Sequence, residues 1–304
     1  MRRRLKIFLK ALGGLVGVGA LGLTGYAWVQ ASAFDASMAR VYDVPAPPIA
    51  RSTNPDDLAR GKHLNESVAP CAASACHGND LGGGEAVSLG PVATLRGPNI
   101  TRTMTSYTDG ELARLLRHGL KNDGRSVAFM PVQDFAWLPD DDLVALVSYL
   151  RTVPPVARPD EQPGTSIRLL GKVLDRKDQM ILDVARRIDH AAGVRPKGAT
   201  PTVEYGRFLA MGCQGCHGEH LSGGRLPGAP PSVPIPLNLT PDATGLRDWT
   251  KDDLDRLLDT GVKRNGQKLD PFMPYEAFAK YDKVEREALW AFLRSVPAIP
   301  FGRR

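Results

Sequence analysis

Five short segments recur in the same order at nearly constant spacing, which restricts the chain to a fold that can be built twice. Cys76-His77-Gly78 returns as Cys216-His217-Gly218, 140 positions later, and Pro98-Asn99-Ile100-Thr101 as Leu237-Asn238-Leu239-Thr240, 139 later. Asp123-Gly124-Arg125 corresponds to Asn265-Gly266-Gln267 at an offset of 142. Phe129-Met130-Pro131 returns as Phe272-Met273-Pro274, and the segment Tyr149 to Pro154 as Phe292 to Pro297, both 143 later. Ordered self-similarity of this kind marks duplicated units. It predicts two homologous domains, 56–154 and 203–304, joined by a linker over 155–202.

Each domain reads as a few helices. Asp56 to Leu64 and Val203 to Met211 lead into the Cys-His segments. Thr108 to His118 places Leu112, Leu115 and Leu116 on one face behind a Thr108 N-cap; Thr250 to Thr260 repeats that design with Leu254, Leu257 and Leu258. Asp140 to Arg151 and Lys283 to Arg294 close the two domains, each ahead of a proline. No stretch alternates as a strand, so the expected fold class is all-α. In the linker, Pro154 to Gly164 is proline-rich, and Ile167, Leu170, Val173, Leu174, Ile181, Val184 and Ile188 outline one or two amphipathic helical segments. These predict a spacer packed on one domain, with docking to a partner subunit as the alternative.

The N-terminus is of another kind. The formal charge of +6 includes +5 from Arg2, Arg3, Arg4, Lys6 and Lys10 within residues 1–33, so the remainder is nearly neutral and gives no reason to expect nucleic acid as a partner. Ala11 to Val29 is uncharged over 19 residues, close to the roughly 20 needed to cross a bilayer core. Basic residues ahead of the span place the N-terminus in the cytoplasm and the rest outside. Ala31-Ser32-Ala33 has the form of a leader-cleavage site, but the apolar run exceeds the usual leader core of about 7–15 residues. Residues 1–33 are therefore expected to be an uncleaved transmembrane anchor, and 34–55, with Pro45, Pro47 and Pro48, an extended tether.

The repeated Cys-His segments carry chemistry. Cys213-Gln214-Gly215-Cys216-His217 has the spacing of covalent haem attachment: two thiols reach the two vinyl groups of one porphyrin while the adjacent imidazole lies under the iron. Zinc, the main rival, needs a fourth ligand and leaves the repeated methionine unexplained. A redox Cys-x-x-Cys lacks a thioredoxin-like βαβ pattern around it. In the first copy four residues separate Cys71 from Cys76-His77, and the small Ala72, Ala73, Ser74 and Ala75 allow the excess to bulge out. A degenerate site with one thioether or no haem is the alternative there.

Met130 follows His77 by 53 residues and Met273 follows His217 by 56, both in Phe-Met-Pro, so each is the candidate opposite axial ligand. Met104, Met180 and Met211 lack repeat partners and read as packing; His63, His118, His190 and His220 are likewise unmatched. A ligating imidazole usually gives its second N–H to an acceptor, and the carbonyls of Pro98 and Pro236 are the candidates. Arg96, Arg125 and Trp249 are candidate propionate partners, with surface or core roles as the alternatives.

These motifs resemble the class I cytochrome c family in a tandem dihaem form. The resemblance rests on Cys71, Cys76, His77 and Met130, on Cys213, Cys216, His217 and Met273, on Gly-Pro-Asn-Ile-Thr at 97–101, and on the closing Tyr-Leu-Arg and Phe-Leu-Arg helices. It is nearest to the membrane-anchored cytochrome subunits of bacterial periplasmic dehydrogenases, which typically have three haems where this chain has motifs for two. The resemblance implies two covalently bound haem c groups and an electron carrier rather than an enzyme. It places the haem domains in the periplasm on a single-pass inner-membrane anchor, with a dehydrogenase or respiratory-chain redox proteins as partners. His/Met ligation leaves no open iron position, which disfavours the alternative of a dihaem peroxidase; an obligate anchoring subunit of a dehydrogenase is the other alternative.

Overall fold

The computed structural model describes residues 2–74, 76–158, 164–191, 193, 195–196, 198–226, 229 and 233–304. Ala75 of the first motif and 159–163 of the proline-rich linker lie outside the described residues. Eleven α-helices are assigned among them: α1 (Arg2–Ala39), α2 (Pro55–Glu66), α3 (Ile100–Thr103), α4 (Asp109–His118), α5 (Val132–Phe135), α6 (Asp140–Leu150), α7 (Leu169–Arg176), α8 (Val203–His217), α9 (Lys251–Thr260), α10 (Tyr275–Phe278) and α11 (Lys283–Ser295). The fold is mostly helical but not all-α. Val87–Ser88 (β1), Ala93–Leu95 (β2) and Ser166–Ile167 (β3) form a small antiparallel sheet, with Val87 opposite Leu95 and Ala93 opposite Ile167. Runs of two or three residues are too short to show alternation, and β3 comes from the segment expected to be a linker helix.

In each half the first long helix crosses the last at a glycine. A Cβ on Gly61 of α2 would overlap the Ala145 carbonyl oxygen of α6, and one on Gly206 of α8 would overlap that of Ala288 of α11. Helices α4 and α9 begin with the same capping box, Thr108 with Glu111 and Thr250 with Asp253, and both end at a left-handed glycine, Gly119 and Gly261. The Asp123-Gly124 and Asn265-Gly266 segments form equivalent tight turns. Gly124 (φ 78°) and Gly266 (φ 82°) donate N–H to Lys121 and Lys263, each at 2.9 Å.

The Asn-x-Thr segments have a structural task. Asn99 Nδ2 donates to the Val156 carbonyl at 2.9 Å and Asn238 Nδ2 to that of Ile299 at 2.8 Å; the hydroxyls of Thr101 and Thr240 accept the N–H groups of Val156 and Ile299. The chain after each closing helix is thus clasped back onto its own half, so the first half extends to Val156.

Residues 34–55 are not a free tether. Helix α1 continues to Ala39. Phe34 is buried with Ala93, Leu95 and Leu182, Ser37 Oγ donates to Asp183 at 2.5 Å, and Asp35 pairs with Lys172 of α7 at 2.7 Å. Beyond the helix the chain is extended but strapped to the first half: Tyr42 N–H donates to Gly124 O (3.0 Å), Arg51 pairs with Asp109 (2.6 Å), and Ser52 N–H donates to Ser148 Oγ (2.9 Å). Helix α1 is long and apolar enough to cross a bilayer, with mean hydropathy 1.5 over its best window.

The linker packs as a spacer, with one helix shorter than the apolar pattern suggested. Leu182-Asp183-Val184 lies beside Val127-Ala128-Phe129, Phe129 N–H donating to Leu182 O at 3.1 Å. One apolar core runs through both halves, with Phe135 and Leu146 in the same cluster as Tyr205 and Leu289. Arg60 pairs with Asp142 in its own half and reaches across the junction to Glu285 Oε1 (2.8 Å) and the Tyr205 hydroxyl (2.8 Å).

Candidate functional site

The two Cys-His segments are carried differently. In the second half Cys213, Cys216 and His217 lie in the last turns of α8, which runs six residues beyond the expected Met211 end. In the first half α2 stops at Glu66, and the longer motif folds into consecutive turns: Cys76 N–H donates to Ala73 O (2.9 Å) and His77 N–H to Cys71 O (3.1 Å). The extra residues are absorbed between the cysteines, and the two chains coincide again after the histidine. Gly78 and Gly218 have positive φ, Gly83 and Gly223 N–H donate to the His77 and His217 carbonyls at 2.8 Å, and Leu81 and Leu221 both adopt left-handed φ near 60° while buried.

Each imidazole is oriented by a backbone carbonyl. His77 Nδ1 lies 2.9 Å from the Pro98 oxygen and His217 Nδ1 lies 2.7 Å from the Leu237 oxygen. A carbonyl only accepts, so each Nδ1 carries the proton and Nε2 keeps its lone pair. The partner of His217 is Leu237, not the expected Pro236; Leu237 immediately precedes Asn238, as Pro98 precedes Asn99. Burial lowers the pKa of both histidines, against the opposing effect of the carbonyl bonds, which favours the neutral form a metal requires.

None of the four cysteines is in a disulfide. Burial pushes Cys71 and Cys213 up to about 12 and raises Cys76 and Cys216, so none is a reactive thiolate. Met130 and Met273 are both half-buried at the head of matching turns, with the N–H of Val132 and of Tyr275 donating to their carbonyls at 2.8 Å. The turns differ one residue earlier. Phe129 takes φ 61°, where the linker pairs with its N–H, whereas Phe272 N–H binds Asp270 Oδ1 at 2.9 Å.

These residues fit covalent haem. The donors are a neutral imidazole with a free Nε2, two neutral thiols and a thioether, and large apolar side chains beside them stand open: Phe129 at 45% exposure, Ile235 at 45%, Leu237 at 43% and Phe272 at 51%. An apolar macrocycle would cover such surface. Among the described residues, the three-donor cluster within metal-binding reach is His63, Asp282 and Glu285, which includes no residue of either motif. There Glu285 is already bound by His63 Nε2 (2.9 Å) and Arg60.

The three candidate propionate partners have other contacts. Arg96 Nε donates to the Gly84 carbonyl at 2.8 Å, Arg125 pairs with Asp123 at 3.2 Å, and Trp249 packs half-buried on the core, so the propionate expectation finds no support in their contacts. Sequence reasoning missed Arg304, whose Nη1 donates to Cys216 O (2.8 Å) and Gly224 O (2.9 Å). Gly224 corresponds to Gly84, so Arg304 does for the second half what Arg96 does for the first. Met104 is buried in the core, Met211 packs against it, Met180 packs on the cluster around Phe34, and His118 faces His190 at 3.2 Å.

No protein-family model matches the chain. It is 27% identical over 278 residues to the fructose dehydrogenase cytochrome subunit of Gluconobacter japonicus, covering 84% of this chain and 55% of that protein. It is 26% identical to the cytochrome c subunit of the quinone alcohol dehydrogenase of Komagataeibacter europaeus, over 75% of this chain and 53% of that one. A shorter match, 34% over 97 residues, is to the gluconate 2-dehydrogenase cytochrome c subunit of Pantoea cypripedii, covering 30% and 22%. The chain is similar to cytochrome c subunits of bacterial dehydrogenases. It spans about half the length of the first two relatives.

Proposed function

We propose that this chain is the electron-transferring cytochrome subunit of a membrane-bound dehydrogenase. The observation that carries the reading is the alignment over 84% of the chain with such a subunit. In this reading 56–154 and 203–304 are tandem class I cytochrome c units on the periplasmic side of the inner membrane, and α1 is the single-pass anchor. Cys71 and Cys76 would hold one haem c, with His77 and Met130 as its iron ligands; Cys213 and Cys216 would hold the other, with His217 and Met273. Each haem, when bound, supplies a one-electron iron couple.

The protein residues set the terms of that couple. The Pro98 and Leu237 carbonyls fix the imidazole tautomers and raise their basicity. A methionine thioether would favour a relatively high potential, and His and Met together would leave no iron position for a substrate. Catalysis therefore belongs to the partner, and this chain relays its electrons to a terminal oxidase or another respiratory acceptor. The test is extraction in mild detergent. A dehydrogenase should co-purify, and its substrate should reduce the haem absorbance of this chain. A solitary chain that no co-extracted dehydrogenase reduces would contradict the subunit reading.

A further inference from the structure

If α1 spans the membrane, it carries a height scale that locates the folded halves against the bilayer. Lys10 is the last charged residue before an uncharged run that ends at Asp35. About 20 helical residues cross the hydrocarbon core, so counting from Lys10 puts its outer boundary near Gln30. Tyr26 then lies about 6 Å on the membrane side of that boundary, at about 1.5 Å per residue. Yet the Lys177 ammonium sits 5.2 Å over the Tyr26 ring. Five residues earlier on α7, Lys172 pairs with Asp35 at 2.7 Å. Helix α7 therefore descends alongside α1, from the level of Asp35 to that of Tyr26, and the turn that follows it is brought down to the bilayer. The docking is firm, because α1 is in part shielded at Ala27, Gln30, Ala31, Phe34, Ser37 and Met38, at helical spacing.

We propose that the end of α7 and its turn, Arg176 to Ile181, lie in the outer-leaflet headgroup layer, a second lipid contact that seats the folded halves on the membrane. This rests on the reading of α1 as the anchor. The surface has the chemistry of a phospholipid boundary. Arg176 has no carboxylate partner among the described residues, and Lys177 is exposed over an aromatic ring of the span, both suited to lipid phosphates. The exposed Asp178 carboxylate is neutralised by Arg187 at 2.7 Å and Arg186 at 3.5 Å, and Asp175 is buried on Arg186, so the two acids are paired with linker arginines and leave Arg176 and Lys177 as the basic tip. Ile181 keeps 37% exposure. Immediately after the turn, Leu182 and Asp183 pair with Ala128 and Phe129, so the lipid contact also sets the height of the Met130 segment.

The experiment places the photo-crosslinker p-benzoylphenylalanine at Gln179 of the full-length, haem-loaded protein in nanodiscs of phosphatidylcholine and phosphatidylglycerol. Matched proteins carry it at Val18 in the middle of the span and at Phe301 on the second half. Lipid adducts at Gln179 should approach the yield at Val18 and exceed that at Phe301 several-fold. Arg176→Glu with Lys177→Glu should cut the Gln179 yield several-fold and leave Val18 unchanged. Adducts at Val18 with only background at Gln179, or Gln179 adducts to protein alone, would overturn the lipid contact and leave the anchor standing. Background at Val18 would overturn the anchor itself.

Discussion

Leu81 and Leu221 hold a left-handed φ that costs a side-chain-bearing residue about 1–2 kcal/mol, and both do so two residues ahead of the glycine that binds the histidine carbonyl. Their carbonyls accept the N–H groups of Ile100 (3.1 Å) and Leu239 (2.8 Å), which ties the segments carrying Pro98 and Leu237 to the loop after each histidine. Met273→Ala should abolish the sulfur-to-iron absorption band of the second haem and leave that of the first; an unchanged spectrum would refute the ligand assignment. A finer change is Gly223→Ala. A Cβ there meets the carbonyl oxygens of Pro236 and Leu237, each at 2.5 Å. Displacing the Leu237 carbonyl weakens its bond to His217, makes the imidazole a poorer donor and should raise the potential of the second haem alone, read by spectroelectrochemical titration. The sequence displayed the Cys, His and Met types at this scale. It concealed the second acceptor, because any residue supplies a carbonyl and only the backbone path selects Leu237 over Pro236.

Among the helices, the crossings at Gly61 and Gly206 bring backbone against backbone with no room for a methyl group. Gly206→Ala should lower stability by about 1–3 kcal/mol, measured by thermal melting of the haem-loaded protein, whereas Gly212→Ala, with nothing within 4 Å of its Cβ, should leave the melt nearly unchanged. Helices α4 and α9 are legible to within a residue or two because apolar spacing, caps and terminal glycines agree, and α6 and α11 because their apolar spacing runs up to a following proline. The closing-helix arginines are explained only by the fold: Arg151 donates to the Met104 carbonyl at 2.6 Å and Arg294 to that of Leu246 at 2.9 Å. The start of the expected tether is helical for a physical reason. The stretch from Phe34 to Ala39 is helical because Phe34, Ser37 and Met38 have a partner surface, and that surface comes from two distant segments, Leu89 to Leu95 and Ile167 to Asp183. No local pattern in the proline-bearing segment announces it.

Across the whole molecule, the junction between the halves is built from repeat-related positions. Arg60 precedes Gly61 on α2 as Tyr205 precedes Gly206 on α8, and Asp142 and Glu285 occupy corresponding places on α6 and α11; all four meet in one network. The repeat revealed two halves but not how they face each other, and His63, unmatched in the repeat, is part of the answer. Burial pushes Glu285 upward, but its bonds from His63 and Arg60 outweigh this and hold its pKa below the ordinary 4.5. A depressed folded-state pKa stabilises above the unfolded value and loses that contribution as pH falls through the folded one. Stability should therefore drop on acidification below pH 4.5, and Glu285→Gln should flatten that limb of the melting profile. At neutral pH the same change should cost about 3 kcal/mol, since Arg60 loses a buried partner.

The central claim is that each half holds one covalent haem. Intact mass spectrometry of protein matured in a periplasm tests it most directly, paired with a pyridine haemochrome assay on the same sample. The account predicts a chain mass increased by two haem groups, with thioether-type absorbance. A mass equal to the bare polypeptide, or increased by a single haem, would contradict it.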